Sequence, residues 1–278
     1  MGFENLLANF GLINLIALLA VAAIGLPHGA FDGAIAVHLG FMKRFDFFIR
    51  FLFTYILLTV FVVILWLAFP TASLIIFLLI SALHFGFGDS RAEFGWFRWV
   101  QVFAHGGGVV IGISQFHKLE VDKVFKYLTG QDSAVVWLAI DVASIVLVFV
   151  FLIYAWHALW NKRWRLGFME LNLLLFAFYF ISPLVGFAFY FCCVHSLRHL
   201  LFLWRYLKET LQSNYFYLQA ISFTISSWIM GGIAYWYCSE QMSGEAALLR
   251  VIFIGLAALT VPHMILVDGF FRRRLKVA

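Results

Sequence analysis

Charge is what this chain has least of. Asp, Glu, Lys and Arg make up 12% of its 278 residues, roughly half the share of a soluble domain. With 64% hydrophobic residues and a mean hydropathy of +0.97, that shortage excludes a sizeable soluble domain. Cysteine is scarce too. Cys192, Cys193 and Cys238 lie in or beside apolar segments without paired spacing. A disulfide framework and a zinc knuckle are thereby excluded, and all three are expected to be small buried hydrophobes. Residues 1–10 carry Glu4 and no basic residue, so the positive region of a signal peptide is missing and the first apolar run is expected to stay as a helix. Linkers and low-complexity segments are absent as well. The net charge of +5 does not mark a nucleic-acid binder, because the charges fall in short clusters between apolar runs. One integral-membrane domain, residues 1–278, is expected.

What is present is apolar sequence in lengths that suit a bilayer. About 20 apolar residues cross a membrane as a helix, and on that ruler nine runs appear: 10–36, 46–69, 72–88, 96–114, 134–158, 171–181, 184–205, 215–238 and 246–270. The break at Ser182-Pro183 would also allow the sixth and seventh runs to form one kinked unit. The turns after the odd runs carry Lys43, Arg44 and Arg50; Arg91 and Arg98; Lys162, Arg163 and Arg165; Arg205 and Lys208; and Arg272, Arg273, Arg274 and Lys276. The opposite side holds only Lys118, Lys123, Lys126 and Arg250, mixed with acids. The positive-inside rule therefore predicts an all-α, polytopic transmembrane bundle of about nine helices, N-terminus outside and C-terminus cytoplasmic, in the cell (inner) membrane.

Histidines stand out against this background. His195 and His199 lie four apart in an apolar run, Phe191-Cys192-Cys193-Val194-His195-Ser196-Leu197-Arg198-His199. On a helix they project from one face, the spacing with which a helix offers two nitrogens to one metal. Polar groups at membrane depth are costly and usually functional. His28, His84, His195 and His263 all lie in runs that travel toward the cytoplasm, and at about 1.5 Å per residue they fall within two or three turns of one level. His105, in run four, lies near mid-membrane. His38, His117 and His157 sit near run ends or in a loop and are bystanders.

The surroundings of the deep histidines repeat a pattern: Pro27-His28-Gly29 with Asp32, His84-Phe85-Gly86 with Asp89, and Pro262-His263 with Asp268. In each, an acid follows the histidine by about one helical turn. A ligating histidine commonly donates its second N–H to a carboxylate, so Asp32, Asp89 and Asp268 are candidates for that role. Gly29, Gly33, Gly86, Gly88 and Gly106-Gly107-Gly108 permit close backbone approach, and Pro27 and Pro262 would open the helical ladder beside His28 and His263. An imidazole-only set suits iron, copper, zinc or nickel, and the residues alone do not choose among them.

Taken together and in order along the whole chain, these motifs, with His105-Gly106, resemble the Brp/Blh family of membrane beta-carotene 15,15'-dioxygenases. The resemblance implies a non-haem Fe(II) enzyme that splits the central double bond of beta-carotene with O2 to give two all-trans-retinal. It also implies four iron ligands, here His28, His84, His195 and His199, as the catalytic set. His263 matches a recurrent family histidine whose role is open: a fifth ligand, a supporting donor or a substrate contact. His105 is carried as a further residue of that kind. The lipid bilayer is the expected medium, no nucleic acid is expected, and direct hand-over of retinal to a rhodopsin is left open. The competing classes are a di-iron hydroxylase or desaturase, which would need more close histidine pairs, a b-haem carrier, and a transporter relaying protons through intramembrane His and Asp.

Overall fold

A computed structural model of the protein describes residues 3–25, 29, 31–41, 44–91, 95–130, 132–211 and 214–271. Among the described residues the chain is helical, with no strand. An α-helix satisfies its own backbone, which is why an apolar chain adopts it in lipid. In order the helices are α1 (Phe3–Phe10), α2 (Leu12–Ala20), α3 (Asp32–His38), α4 (Phe45–Ala68), α5 (Pro70–Asp89), α6 (Trp96–Phe116) and α7 (Lys118–Thr129). There follow α8 (Ala134–Trp160), α9 (Lys162–Phe180), α10 (Pro183–Ala188), α11 (Ser196–Leu211), α12 (Asn214–Ser239) and α13 (Gly244–Met264). Several ends obey local rules. Pro70 and Pro183 open α5 and α10, where their missing N–H costs nothing. Asn161 and Ser243 accept backbone N–H groups at the starts of α9 and α13, and α7 stops at Gly130, whose φ of 68° suits glycine.

Among the described residues, five helical stretches are long and apolar enough to cross a membrane: Phe45–Ala68, Pro70–Asp89, Ala134–Trp160, Pro183–Leu207 and Gly244–Phe270. They match five of the nine expected runs. Among the described residues the other four runs are largely helical but fall short of that standard. Run 10–36 comes in pieces, α2 and α3 among them. In α6 the apolar pattern is diluted by Gln101, His105, four glycines and Ser114, and in α12 by Ser222, Thr224, Ser226 and Ser227. Run 171–181 is the end of α9, which starts at Lys162, Arg163 and Arg165. The expected count of nine therefore reduces to five that length and composition support. Of the cysteines expected to be buried, Cys192 is, Cys238 is partly so, and Cys193 is exposed.

The chain divides into two compact units. The central unit, Phe69–His195, is built around α6, which packs on α5, α8 and α9. The α5–α6 contact is backbone to backbone: a methyl group on Gly106 would run into the carbonyl of Ala82, and one on Gly86 into the carbonyl of Val102. Only glycine permits that approach. Val100, Ala104, Tyr154, Ala158, Trp164 and Leu171 form a core cluster of this unit.

The flanking unit joins Met1–Ala68 to Ser196–Ala278. Here α13 packs on α4 and α12, and α3 on α11. Its core cluster is Ala34, Ile35, Leu203, Leu207, Leu266 and Val267, and Trp228 on α12 donates its indole N–H to the carbonyl of Ala22 at 2.9 Å.

Among the described residues three stretches wind as wide π-helix: Val21–Gly25, Phe189–His195 and Ile265–Phe271. The first precedes Pro27-His28 in the sequence, the second ends on His195, and the third begins just beyond His263. Pro262 lies inside α13, where it removes a ladder hydrogen bond at the very turn before the winding changes.

Candidate functional site

In the central unit α5 contributes His84 and the Phe189–His195 segment contributes His195. Both are buried, and their ring centroids lie 4.8 Å apart, edge to face. Aromatic side chains fix them. Phe85 sets its ring 4.9 Å from His195, and Phe191 stacks on His195 at 5.9 Å with 11° between the planes. Gly88 lies beside the imidazole, where a Cβ would sit in ordinary contact at 3.6 Å. Asp89, the acid five residues after His84, is buried and accepts a hydrogen bond from the Tyr190 hydroxyl at 2.8 Å. Tyr190 also carries Phe85 against its ring at 5.1 Å, so the carboxylate steadies the aromatic packing around the histidines. His105 is buried as well, and its Nε2 pairs with the Tyr154 hydroxyl at 3.2 Å. Gly167 makes space for that hydroxyl, which a Cβ would meet at 2.6 Å.

The flanking unit holds a second buried pair by other means. His199 on α11 and His263 at the end of α13 place their rings 5.1 Å apart, again edge to face. His263 Nδ1 lies 2.7 Å from Asp32 Oδ1, with side-chain exposures of 1% and 5%. The Tyr55 hydroxyl on α4 donates to the other oxygen, Asp32 Oδ2, at 2.9 Å. A buried carboxylate is tolerated only with such donors. Sequence spacing pairs Asp32 with His28, which lies outside the described residues; in the structure Asp32 supports His263, 231 positions away. Asp268 lies partly buried in the Ile265–Phe271 segment.

Three tyrosines that spacing does not single out, Tyr55, Tyr154 and Tyr190, each bond to a candidate residue. The available signal is a phenol inside an apolar helix, because a buried hydroxyl needs a partner. Among the described residues no three His, Cys, Asp or Glu side chains form a cluster able to hold a metal ion; the imidazoles come as pairs. Their chemistry nonetheless fits a borderline metal such as iron, and a histidine donating one nitrogen to a buried carboxylate is the arrangement that prepares the other for a metal.

Comparison with known proteins agrees with these motifs. The family described as Beta-carotene 15,15'-dioxygenase matches residues 19–271. A curated relative, the Beta-carotene 15,15'-dioxygenase of Uncultured marine bacterium 66A03, is 38% identical over 268 residues, covering 94% of this chain and 95% of the relative. No solved structure matches. Every candidate residue, from His28 to Asp268, lies within the matched stretch. The chain belongs to the beta-carotene 15,15'-dioxygenase family.

Proposed function

We propose that this protein is a membrane beta-carotene 15,15'-dioxygenase that cleaves the central double bond of beta-carotene with O2 and releases two all-trans-retinal. The observation that carries this reading is the 38% identity with a relative of that name along nearly the whole of both chains. The reaction balances without a further reductant: one carbon–carbon double bond breaks, and each new aldehyde takes one oxygen atom of O2.

The proposed metal ligands are His28, His84, His195 and His199. Bound ferrous iron would supply the dioxygen chemistry. The chain's own residues do the rest. The aromatic packing of Phe85, Phe191 and Tyr190 fixes His195 and keeps water away from it, and Asp32 holds a tautomer on the flanking side. Apolar helix faces admit a polyene from lipid. No side-chain acid or base is required, because no proton is gained or lost between substrate and products.

The basic turns support an N-terminus outside, a C-terminus in the cytoplasm and residence in the cell inner membrane. The nine runs are the finer form of this topology, and any odd number of crossings keeps the two termini on opposite faces. Retinal is itself lipophilic, so its acceptor belongs to the same membrane, and hand-over to a rhodopsin is the partner step this reading adds.

Expression in a beta-carotene-accumulating bacterium tests the proposal. Loss of orange colour with appearance of retinal is the expected result; unchanged pigment in cells that contain the folded protein would refute it.

A further inference from the structure

The chain Tyr55–Asp32–His263–His199 asks for an explanation beyond packing. Burying an imidazole against a carboxylate is poor engineering for stability, because desolvation offsets the attraction and well-packed apolar residues do as well. Yet Asp32 and His263 are almost wholly buried and bonded at 2.7 Å, and Tyr55 pins the remaining carboxylate oxygen at 2.9 Å. With both oxygens engaged, Asp32 is held in one rotamer. Donation from His263 Nδ1 then fixes the tautomer and leaves the lone pair on Nε2, the state in which a histidine binds a metal.

The neighbour of His263 points the same way. Its ring centroid lies 5.1 Å from that of His199, close to the 4.8 Å between His84 and His195. Two imidazoles on one ion, with bonds of about 2.1 Å, bring their nitrogens to about 3 Å, and edge-to-face rings at these separations allow it. The backbone is also shaped here, with Pro262 inside α13 and the winding widening from Ile265, a feature frequent at functional sites.

We infer that His263 is an additional iron ligand, binding through Nε2 beside His199, with Asp32 and Tyr55 as the positioning residues that fix its tautomer. The inference rests on the iron-dependent reading above and adds a ligand to it. His263 belongs to the metal set, Asp32 acts through His263, and Tyr55 acts through Asp32, so the effects of substitution decline in that order.

The test uses the full-length protein in nanodiscs. Fe(II) affinity is measured anaerobically by chelator competition, alongside thermal unfolding of the iron-free form. His263→Ala is expected to weaken iron binding more than 100-fold, Asp32→Asn by about 10–100-fold and Tyr55→Phe by less than about 10-fold, the range of outer partners of a metal site. Each substitution leaves a buried group short of a partner, so iron-free unfolding should fall too, and iron affinity is compared on the folded protein. Pulsed EPR of the nitrosyl adduct should show one imidazole nitrogen fewer in His263→Ala. Should that variant fail to fold, Asp32→Asn still decides: weaker iron binding supports the inference. Parental affinity in Asp32→Asn, or in a folded His263→Ala, overturns it. A parent protein that binds iron in this manner and makes no retinal would sink the activity instead, leaving the ligand assignment intact.

Discussion

The two units hold their histidine pairs by contrasting means. In the central unit His84 and His195 are wedged by Phe85, Phe191 and Tyr190, and the helix that carries His84 is clamped to α6 through glycine backbones. In the flanking unit His263 is held by a hydrogen-bonded chain, Tyr55 to Asp32 to imidazole. Shape does the work in one case and polarity in the other. The difference teaches where each is vulnerable: the aromatic mount should fail through packing, and the polar mount through unsatisfied buried groups and poorer ligand quality together.

The harshest way to break the comparison is to remove one ring from each side. His84→Ala and His199→Ala should each lower retinal formation by more than about 100-fold, beyond what outer partners alone cause, as measured by chromatography of cell extracts. A variant that keeps parental turnover would remove its unit from the reaction.

Glycine substitutions come next. Gly106→Ala drives a methyl group into the Ala82 carbonyl, so α5 and α6 must separate, at about 1–3 kcal/mol or more. Gly33→Ala in the flanking unit meets only the end of the flexible Gln219 side chain, at 2.9 Å. It should change stability by less than about 1 kcal/mol, because alanine also favours the helix. Thermal unfolding followed by tryptophan fluorescence compares the two, and equal losses would contradict the backbone clamp.

Removing one hydroxyl from each unit sharpens the contrast further. Tyr190→Phe deprives buried Asp89 of a donor and should cost about 1–3 kcal/mol in unfolding. Tyr55→Phe deprives buried Asp32 of a donor in the same way, and should in addition weaken iron binding.

The smallest effect lies away from both pairs. On α7, the Lys126 ammonium holds the Asp122 carboxyl down to about 2, with help from Ser133 and Trp137. A carboxyl whose folded value lies below its unfolded one, near 3.9, stabilises fully above about pH 4 and loses that contribution as pH falls toward 2. Asp122→Asn should therefore lower stability slightly near neutrality, where that contribution is complete, and converge with the parent as pH falls toward 2.

The long apolar helices were legible because hydropathy alone defines them, and five of the expected runs reappear with bounds shifted by at most two residues. Motif and depth pointed to histidines at one level, but not to which rings would lie together, His84 with His195 and His199 with His263. The partner of Asp32 was not. Local spacing favours His28, whereas a contact to His263 depends on how α3 and the end of α13 meet, which no periodicity encodes. The tyrosines escaped notice for a related reason: ten of them occur among 34 Phe and 10 Trp, and only a folded chain tells a bonded phenol from a lipid-facing one.

The wide turns carry a consequence for how such a protein can change over generations. A π-helical stretch accommodates a surplus residue relative to ordinary winding, and Phe189–His195 ends on the ring it must aim. Deleting one residue there would restore regular winding and swing His195 by about 100° around the axis. Relatives of unequal length should therefore accept gaps in their loops and refuse them between Phe189 and His195.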